Sequence, residues 1–373
     1  MFAIIFSIFM LLFAGICFYV SKMLHSGLTY FFANLSFWWV FGIFTAVTLT
    51  AFAVMMLHTS FLEAFFSVWV GVFIYILLFT LLSDLVRVIL VIFKSGILSH
   101  KLYSTVSCAC VVALTLLTVI YGIFNARNIK IASYEIELES SNVSEVHLAL
   151  ISDLHLGAVG SESRLEDIVD GINALKPDII CIAGDFFDTD FGAVDDPQKA
   201  IKELKRLIAP LGVYACVGNH DAGKTFDKMK VFLEMCNIRL LCDEHEVIDG
   251  KFTLVGRLDR HSIGGYGALS RCDTSLILEK IPSDLPAVIL DHNPSNVVDY
   301  SSPNSLILSG HTHRGQIFPG SLITSQMFEP DYGYLKKDDN SPHIVVSSGI
   351  GYWDIPLRVG TDSEIVSIKL VLS

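Results

Sequence analysis

Seven residues with nitrogen or oxygen side-chain donors each stand just behind an apolar run. They are Asp153 and His155 in "LALISDLHLG", Asp185 in "DIICIAGD", Asn219 in "GVYACVGNHD", His292 in "AVILDH", and His311 and His313 in "LILSGHTH". No thiolate is among them. Imidazole, carboxylate and carboxamide donors suit borderline or hard divalent ions such as Mn, Fe, Zn or Co, and argue against an iron–sulfur or cysteine-type structural zinc site. Two such ions about 3.5–4 Å apart, sharing a bridging carboxylate, clamp the attacking and leaving oxygens of an in-line displacement at phosphorus. Asp185, in the middle of the series, is the natural bridge. One Asp-x-His or Gly-Asn-His-Asp segment alone reads as a capped turn or a loop; five segments in order, each behind an apolar run, do not.

For these donors to meet, the runs before them must be neighbouring strands. Helical repeats lie between the early runs: Leu165, Ile168, Val169, Ile172 and Leu175 up to Pro177, then Ile201, Leu204, Leu207 and Ile208, then a helix over about 224–236. Later runs, "FTLVG", "AVILDH", "LILSGHTH", "HIVVSSG" and "EIVSIKLVL", have fewer helices between them. Alternation followed by strand-rich sequence predicts α/β layers with mixed sheets. In such a sheet the strand ends along one edge converge, and ligands bind in the crevice beyond them. Gly157, Gly184, Gly218 and Gly310 stand beside the donors and let the backbone turn tightly.

The first 124 residues have a different character. They hold only four basic residues (Lys22, Arg87, Lys94, Lys101) and two acidic ones (Glu63, Asp84), about +2, so the remainder carries −14 within the net charge of −12. An acidic domain lacks the basic stripe that duplex nucleic acid requires, which excludes nucleic acid as a partner. Four apolar stretches, about 2–20, 37–57, 64–82 and 104–124, are long enough to cross a bilayer as helices. The first has no basic segment before it and is read as a true span rather than a signal peptide. Residues 83–94 are expected to form an interfacial amphipathic helix with an Asp84/Arg87 pair. Trp38 and Trp39 read as interfacial anchors. Four crossings put the amino terminus and the large domain on one side, with the 58–63 turn, Arg127 and Lys130. Lys22, Arg87, Lys94 and Lys101 lie on the other, so the positive-inside rule turns the large domain outward. The eight cysteines show no CxxC spacing and read as buried hydrophobes or free thiols.

The donor series resembles that of the calcineurin-like metallophosphoesterase superfamily, whose motifs run DxH, GD, GNH[DE], H and GHxH. They match Asp153/His155, Gly184/Asp185, Gly218 to Asp221, His292 and Gly310 to His313. Within it the chain is most similar to YkuE-like membrane-associated phosphoesterases, through "LDHNP", "SGHTHRGQIFPG" and "SSGIGYWDIPLRVG". The resemblance implies a four-layer α/β/β/α sandwich with two mixed sheets, preceded by a four-helix transmembrane region. The expected division is a membrane region over 1–124, a linker and leading strand over 125–144, and a phosphoesterase domain over 145–373. It also implies two divalent metal ions, one held by Asp153, His155, Asp185 and His313, the other by Asp185, Asn219, His292 and His311. His220 would stabilise the transition state or protonate the leaving oxygen, with Asp221 orienting it. A hydroxide bridging the metals would attack a phosphoester or pyrophosphate.

Outside the motifs, Arg257, Arg260, Arg314 and Arg358 sit near glycine-rich or motif segments and could hold a second phosphate, Arg314 and Arg260 being taken forward as substrate-binding candidates. Tyr352-Trp353 reads as aromatic packing or as a substrate wall. The expected substrate is a phosphorylated small molecule or lipid at the bilayer; a narrower reading is a pyrophosphohydrolase of a nucleotide-sugar lipid such as UDP-diacylglucosamine. From another class, a transporter or non-catalytic scaffold would tolerate a missing ligand, and none is missing.

Overall fold

The computed structural model describes residues 2–57, 60–93, 100–188 and 191–373. Residues 58–59 of the expected 58–63 turn, Lys94 and the side chain of Glu63 lie outside the description. The chain divides into two compact units, Met1–Ile123 and Phe124–Ser373.

The first unit is built from α1 (Phe2–Leu28), α2 (Phe37–Leu57), α3 (Ser60–Ile92) and most of α4 (His100–Arg127). Each contains a stretch long and apolar enough to cross a membrane: Ser7–Leu28, Phe37–Val54, Phe65–Ile92 and Lys101–Arg127. A helix meets its own backbone hydrogen bonds, which hydrocarbon cannot supply. Phe13, Cys17, Val20, Phe44, Phe73, Ile76 and Val111 form its core. Buried hydroxyls bond locally: Thr48 Oγ1 donates to the Phe44 carbonyl (2.8 Å) and accepts from Trp69 Nε1 (3.2 Å). One expectation is corrected. Residues 83–92 are not a separate interfacial helix but the continuation of α3, because no proline or glycine breaks the chain and Leu85, Val88, Val91 and Ile92 keep its outer surface apolar.

The second unit contains β1 (Ile129–Leu138), β2 (Ser144–Ile151), α5 (Leu165–Ala174), β3 (Ile179–Ala183), α6 (Pro197–Leu204), β4 (Val213–Cys216), α7 (Phe226–Met235) and β5 (Arg239–Leu240). It continues through β6 (Glu244–Ile248), β7 (Phe252–Gly256), α8 (Thr274–Leu278), β8 (Ala287–Leu290), β9 (Ser305–Ser309), α9 (Gly320–Met327), β10 (Gly333–Leu335), β11 (His343–Val346) and β12 (Ser363–Leu372). One sheet has the order β1-β12-β2-β3-β4-β5, the other β10-β11-β9-β8-β7-β6, and both are mixed. Local chemistry fits the elements. α6, for example, starts where the Asp196 carboxylate accepts the Lys199 amide and Pro197 pre-sets the first turn.

Side chains alternate across each strand, which separates the layers. From β2, Val146, Leu148 and Leu150 join Leu254, Val288, Leu290, Leu306, Leu308 and Val345 between the sheets. Ala149 and Ile151 face the other way, toward Leu165, Ile168, Ile201, Phe232 and Leu233 of α5, α6 and α7. Beyond the second sheet, Val255, Ile289, Ile307 and Ile344 pack with Ile277, Val297 and Tyr300. The order of layers is therefore α/β/β/α. Strands buried on both faces need continuous apolar sequence, and β3 is fully buried "IICIA". At the start of this unit the side chain of Asn125 donates to the carbonyls of Thr361 (2.8 Å) and Arg358 (3.3 Å), and Ser363 Oγ donates to the Ala126 carbonyl (2.8 Å).

Candidate metal centre

The seven donors leave the carboxyl ends of five strands: Asp153 and His155 follow β2, Asp185 follows β3, Asn219 follows β4, His292 follows β8, and His311 and His313 follow β9. Five of them have left-handed backbones: Asp153 (φ 57°), His155 (48°), Asp185 (55°), His311 (73°) and His313 (48°). Side chains other than glycine rarely adopt this region, and such strain gathers at functional sites. Two glycines let the loops touch. Gly184 has φ 79°, and a Cβ on Gly218 would stand 2.1 Å from Asp185 Oδ1.

Two groups form. The candidate ligand atoms of Asp153, His155 and His313 lie within 4.8 Å of one another, as do those of Asp185, His292 and His311. In the first, His155 Nε2 is 3.1 Å from His313 Nε2, which is 3.4 Å from Asp153 Oδ1. In the second, His292 Nε2 is 3.1 Å from Asp185 Oδ2, and Asn219 Oδ1 is 3.2 Å from His292 Nε2 and 2.9 Å from His311 Nδ1. Asp185 Oδ2 also reaches to within 3.8 Å of His155 Nε2, so this carboxylate faces both groups.

The surroundings fix which nitrogen carries a proton. His292 Nδ1 lies 2.7 Å from the Ala183 carbonyl, and His155 Nδ1 lies 3.2 Å from Asp188 Oδ1. A hydrogen held at His292 Nδ1 by that carbonyl leaves its Nε2 lone pair pointing into the cluster, the tautomer a metal ligand needs, and Asp188 is the carboxylate beside the corresponding nitrogen of His155. Electrostatics divides the imidazoles. Burial alone lowers all four, but Asp185 lifts His292 well above its usual value, and Asp188 with Asp185 lifts His155. Burial and the charge of His292 push His311 down to about 3; burial, His155 and Arg358 hold His313 well below the ordinary range. Burial raises Asp153, whereas for Asp185 the opposing pull of His292 and His155 outweighs burial and keeps it ionised. Carboxylate oxygens, one carboxamide oxygen and imidazole nitrogens thus converge without a thiol, a donor set that fits divalent cations.

His220 is half-buried, its amide donates to Asp185 Oδ1 (2.9 Å), its Nδ1 bonds the Asp188 carbonyl, and its ring lies 5.2 Å from that of His155. Asp221 is a correction. It does not orient His220; its carboxylate accepts the amides of Gly218 (2.9 Å), Asp185 (2.8 Å), Phe186 (2.8 Å) and Phe187 (3.3 Å). Neighbours in sequence here point opposite ways, and Asp221 holds the Asp185 loop against the Gly218 turn. Burial and Asp185 raise it to about 6.

Of the arginines, Arg260 pairs with Asp299, and the Arg314 guanidinium lies 4.4 Å from the centre of the Tyr332 ring. Arg257 and Arg358 are fully buried rather than at the surface. Arg257 faces Asp243 (3.1 Å), while Arg358 donates to the carbonyls of Gly351 (2.6 Å), Ser348 (2.7 Å) and Asp362 (2.8 Å) and stands 3.4 Å from His313 Nδ1. Asp291, next to His292, is fastened by Arg271 (2.6 Å), Tyr300 (2.7 Å) and Asn296 (2.9 Å). Asp188 escaped the sequence reading; its signal is its place three residues after Asp185. Tyr352 is buried, but Trp353 is 51% exposed, with its ring 6.3 Å from His220.

Residues 146–315 match the family described as calcineurin-like phosphoesterase. The chain is 31% identical over 233 residues to an uncharacterized metallophosphoesterase of Helicobacter pylori (61% of this chain, 60% of that one). It is 30% identical over 277 residues to a Danio rerio protein named transmembrane protein with metallophosphoesterase domain (69% and 61%). It thus spans less than two thirds of the length of both. A third relative, the uncharacterized metallophosphoesterase YkuE of Bacillus subtilis, is 30% identical over 236 residues, 59% of this chain and 77% of that one. With three quarters of YkuE covered at that identity, the chain belongs to the calcineurin-like metallophosphoesterases, a family of metal-dependent phosphoester hydrolases.

Proposed function

We propose that this membrane-anchored hydrolase uses two divalent metals, one at Asp153, His155 and His313, the other at Asn219, His292 and His311, with Asp185 serving both. The observation that carries this reading is the reach of Asp185 Oδ2 toward His292 (3.1 Å) and His155 (3.8 Å). When bound, the metals would polarise the phosphoryl oxygens and supply a water ionised near neutral pH. Asp188 and the Ala183 carbonyl orient the imidazoles, and Asp221 keeps the Asp185 loop in place. His220 donates through Nδ1 to the Asp188 carbonyl, which leaves Nε2 as the ring nitrogen to meet the leaving oxygen or the phosphoryl group.

For the substrate, we take a phosphorylated amphiphile. What supports it is an apolar rim on the segment that follows the two histidines. Leu322, Ile323 and Met327 of α9 are exposed, Met327 by 67%, and the Phe328 ring is 5.8 Å from His311, with Trp353 beside His220. Large apolar side chains gathered on a surface mark a contact for another apolar body. The catalytic domain is read as facing outward, since Lys22, Arg87 and Lys101 lie toward the opposite helix ends.

The full chain in lipid nanodiscs, stripped with a chelator and reloaded with Mn, Fe, Zn or Co, is assayed on aryl phosphomonoesters, phosphodiesters and lipid pyrophosphates. Hydrolysis that follows metal content at two ions per chain is expected. A preparation holding two metals but inactive on the whole panel would refute the assignment.

A further inference from the structure

Away from the metal centre, the first unit contains a cavity of about 300 Å³ between α1, α3 and α4, with Tyr19, Lys22, Asp84, Arg87, Tyr103 and Ser107 among its lining residues. These residues sit near the end of α1, the end of α3 and the start of α4. At 1.5 Å per residue, Lys22 and Arg87 lie about 8–9 Å from their helix ends, the depth at which lipid head groups meet the hydrocarbon.

The cavity's own contacts leave its cations available. Asp84 accepts from Tyr19 (2.6 Å), Tyr103 donates to the Ser83 carbonyl (2.7 Å), and Ser83 bonds Ser107. Among the described residues, no carboxylate lies within ion-pair distance of Lys22 or Arg87. Two cations against one carboxylate leave the cavity one positive charge in excess, which a phosphodiester would balance. Guanidinium and ammonium groups are the usual partners of phosphate, and basic pockets between membrane helices bind anionic head groups.

A second observation points to what is attached to that phosphate. A groove of about 250 Å³ between α3 and α4 shares Ser83, Tyr103 and Ser107 with the cavity, and runs on past Phe79, Val86 and Leu114. It is apolar almost throughout and has the lining an acyl chain needs. A charged cavity that shares wall residues with an apolar groove matches an amphiphile better than a free ion.

We propose that the membrane unit holds one anionic phospholipid, with its phosphate on Lys22 and Arg87 and an acyl chain along the Val86/Leu114 groove. The site is separate from the metal centre and takes its ligand from the bilayer.

The test is retention and stabilisation of the full chain in detergent by phosphatidylglycerol, phosphatidylcholine or inorganic phosphate, read by native mass spectrometry and thermal melting. The wild type should retain phosphatidylglycerol over phosphatidylcholine and melt higher with it. Lys22→Gln with Arg87→Gln should weaken that binding about tenfold or more. Leu114→Trp should weaken the lipid but not inorganic phosphate. Hydrolysis of a soluble aryl phosphoester should be unchanged in every variant, and Lys22→Arg should bind as the wild type does. Equal retention of both lipids, or undiminished phosphatidylglycerol binding in the double variant, would overturn the proposal. Stabilisation by inorganic phosphate alone would overturn its lipid part. Loss of aryl phosphoesterase activity in the wild type would count against the metal-centre reading, not this one.

Discussion

Replacing Asp185 by asparagine tests the shared carboxylate with the least disturbance of shape. The carboxamide oxygen can still accept the His220 amide, now made at 2.9 Å, so the loop keeps that bond. What disappears is the negative charge lying 3.1 Å from His292 Nε2 and 3.8 Å from His155 Nε2. Removing one partner of a buried ionic set costs about 3–5 kcal/mol. At about 1.4 kcal/mol per tenfold, this is two to three and a half orders of magnitude in metal affinity. Because the carboxylate faces both groups, both metals are expected, on the proposed assignment, to weaken together, as read by competition with a chromophoric chelator. Hydrolysis of an aryl phosphoester should fall by about three orders of magnitude. A thermal melt recorded alongside separates loss of ligand from loss of fold. Unchanged affinity at one of the two metals would show that Asp185 does not bridge, and full retained activity would remove the hydrolase site from these residues altogether.

Four other outcomes are expected. His220→Ala should lower kcat by about 10²–10⁴ while two metals per chain remain, measured by steady-state kinetics and elemental analysis. Asp221→Ala leaves several buried amides without an acceptor at about 1–3 kcal/mol each, so the denaturant midpoint should drop sharply; a fall in kcat with an unchanged midpoint would restore the His220-orienting role. Asp188→Asn should weaken the metal on the His155 side by about 10–100-fold in a competition titration, and no change would show that the 3.2 Å contact does not tune the ligand. Trp353→Ala with Met327→Gln should raise KM for a lipid phosphoester but not for a soluble aryl one; a parallel rise in both would dissociate the apolar rim from substrate choice.

The donor series was readable because each member follows an apolar run, and a strand buried on both faces announces itself as unbroken Val, Ile, Leu and Ala. The helices α5 and α6 were readable for a similar reason, since their inward stripes recur at helical spacing. Asp188 was not, because it ends no strand and only the folded loop turns it back toward His155. The role of Asp221 was misread because adjacency in "NHD" says nothing of direction: the turn sends the His220 ring toward Asp188 and the Asp221 carboxylate beneath the Asp185 loop. Arg257 and Arg358 look like surface or phosphate-binding cations in sequence. Their burial depends on an aspartate and on carbonyls that come together only in three dimensions.

The Asn125 contacts have a practical bearing on where the protein can be severed. Thr361, whose carbonyl Asn125 caps, passes its hydroxyl to the His313 carbonyl (3.2 Å), and the compact catalytic unit begins at Phe124, inside helix α4. A fragment started at the first strand would discard that cap, together with the Ala126 carbonyl that takes the Ser363 hydroxyl. The loop behind His313 would then be exposed to solvent on its rear side. A cut a turn earlier keeps both fastenings, so the last turn of the fourth helix is better regarded as the first piece of the enzyme than as the end of its anchor.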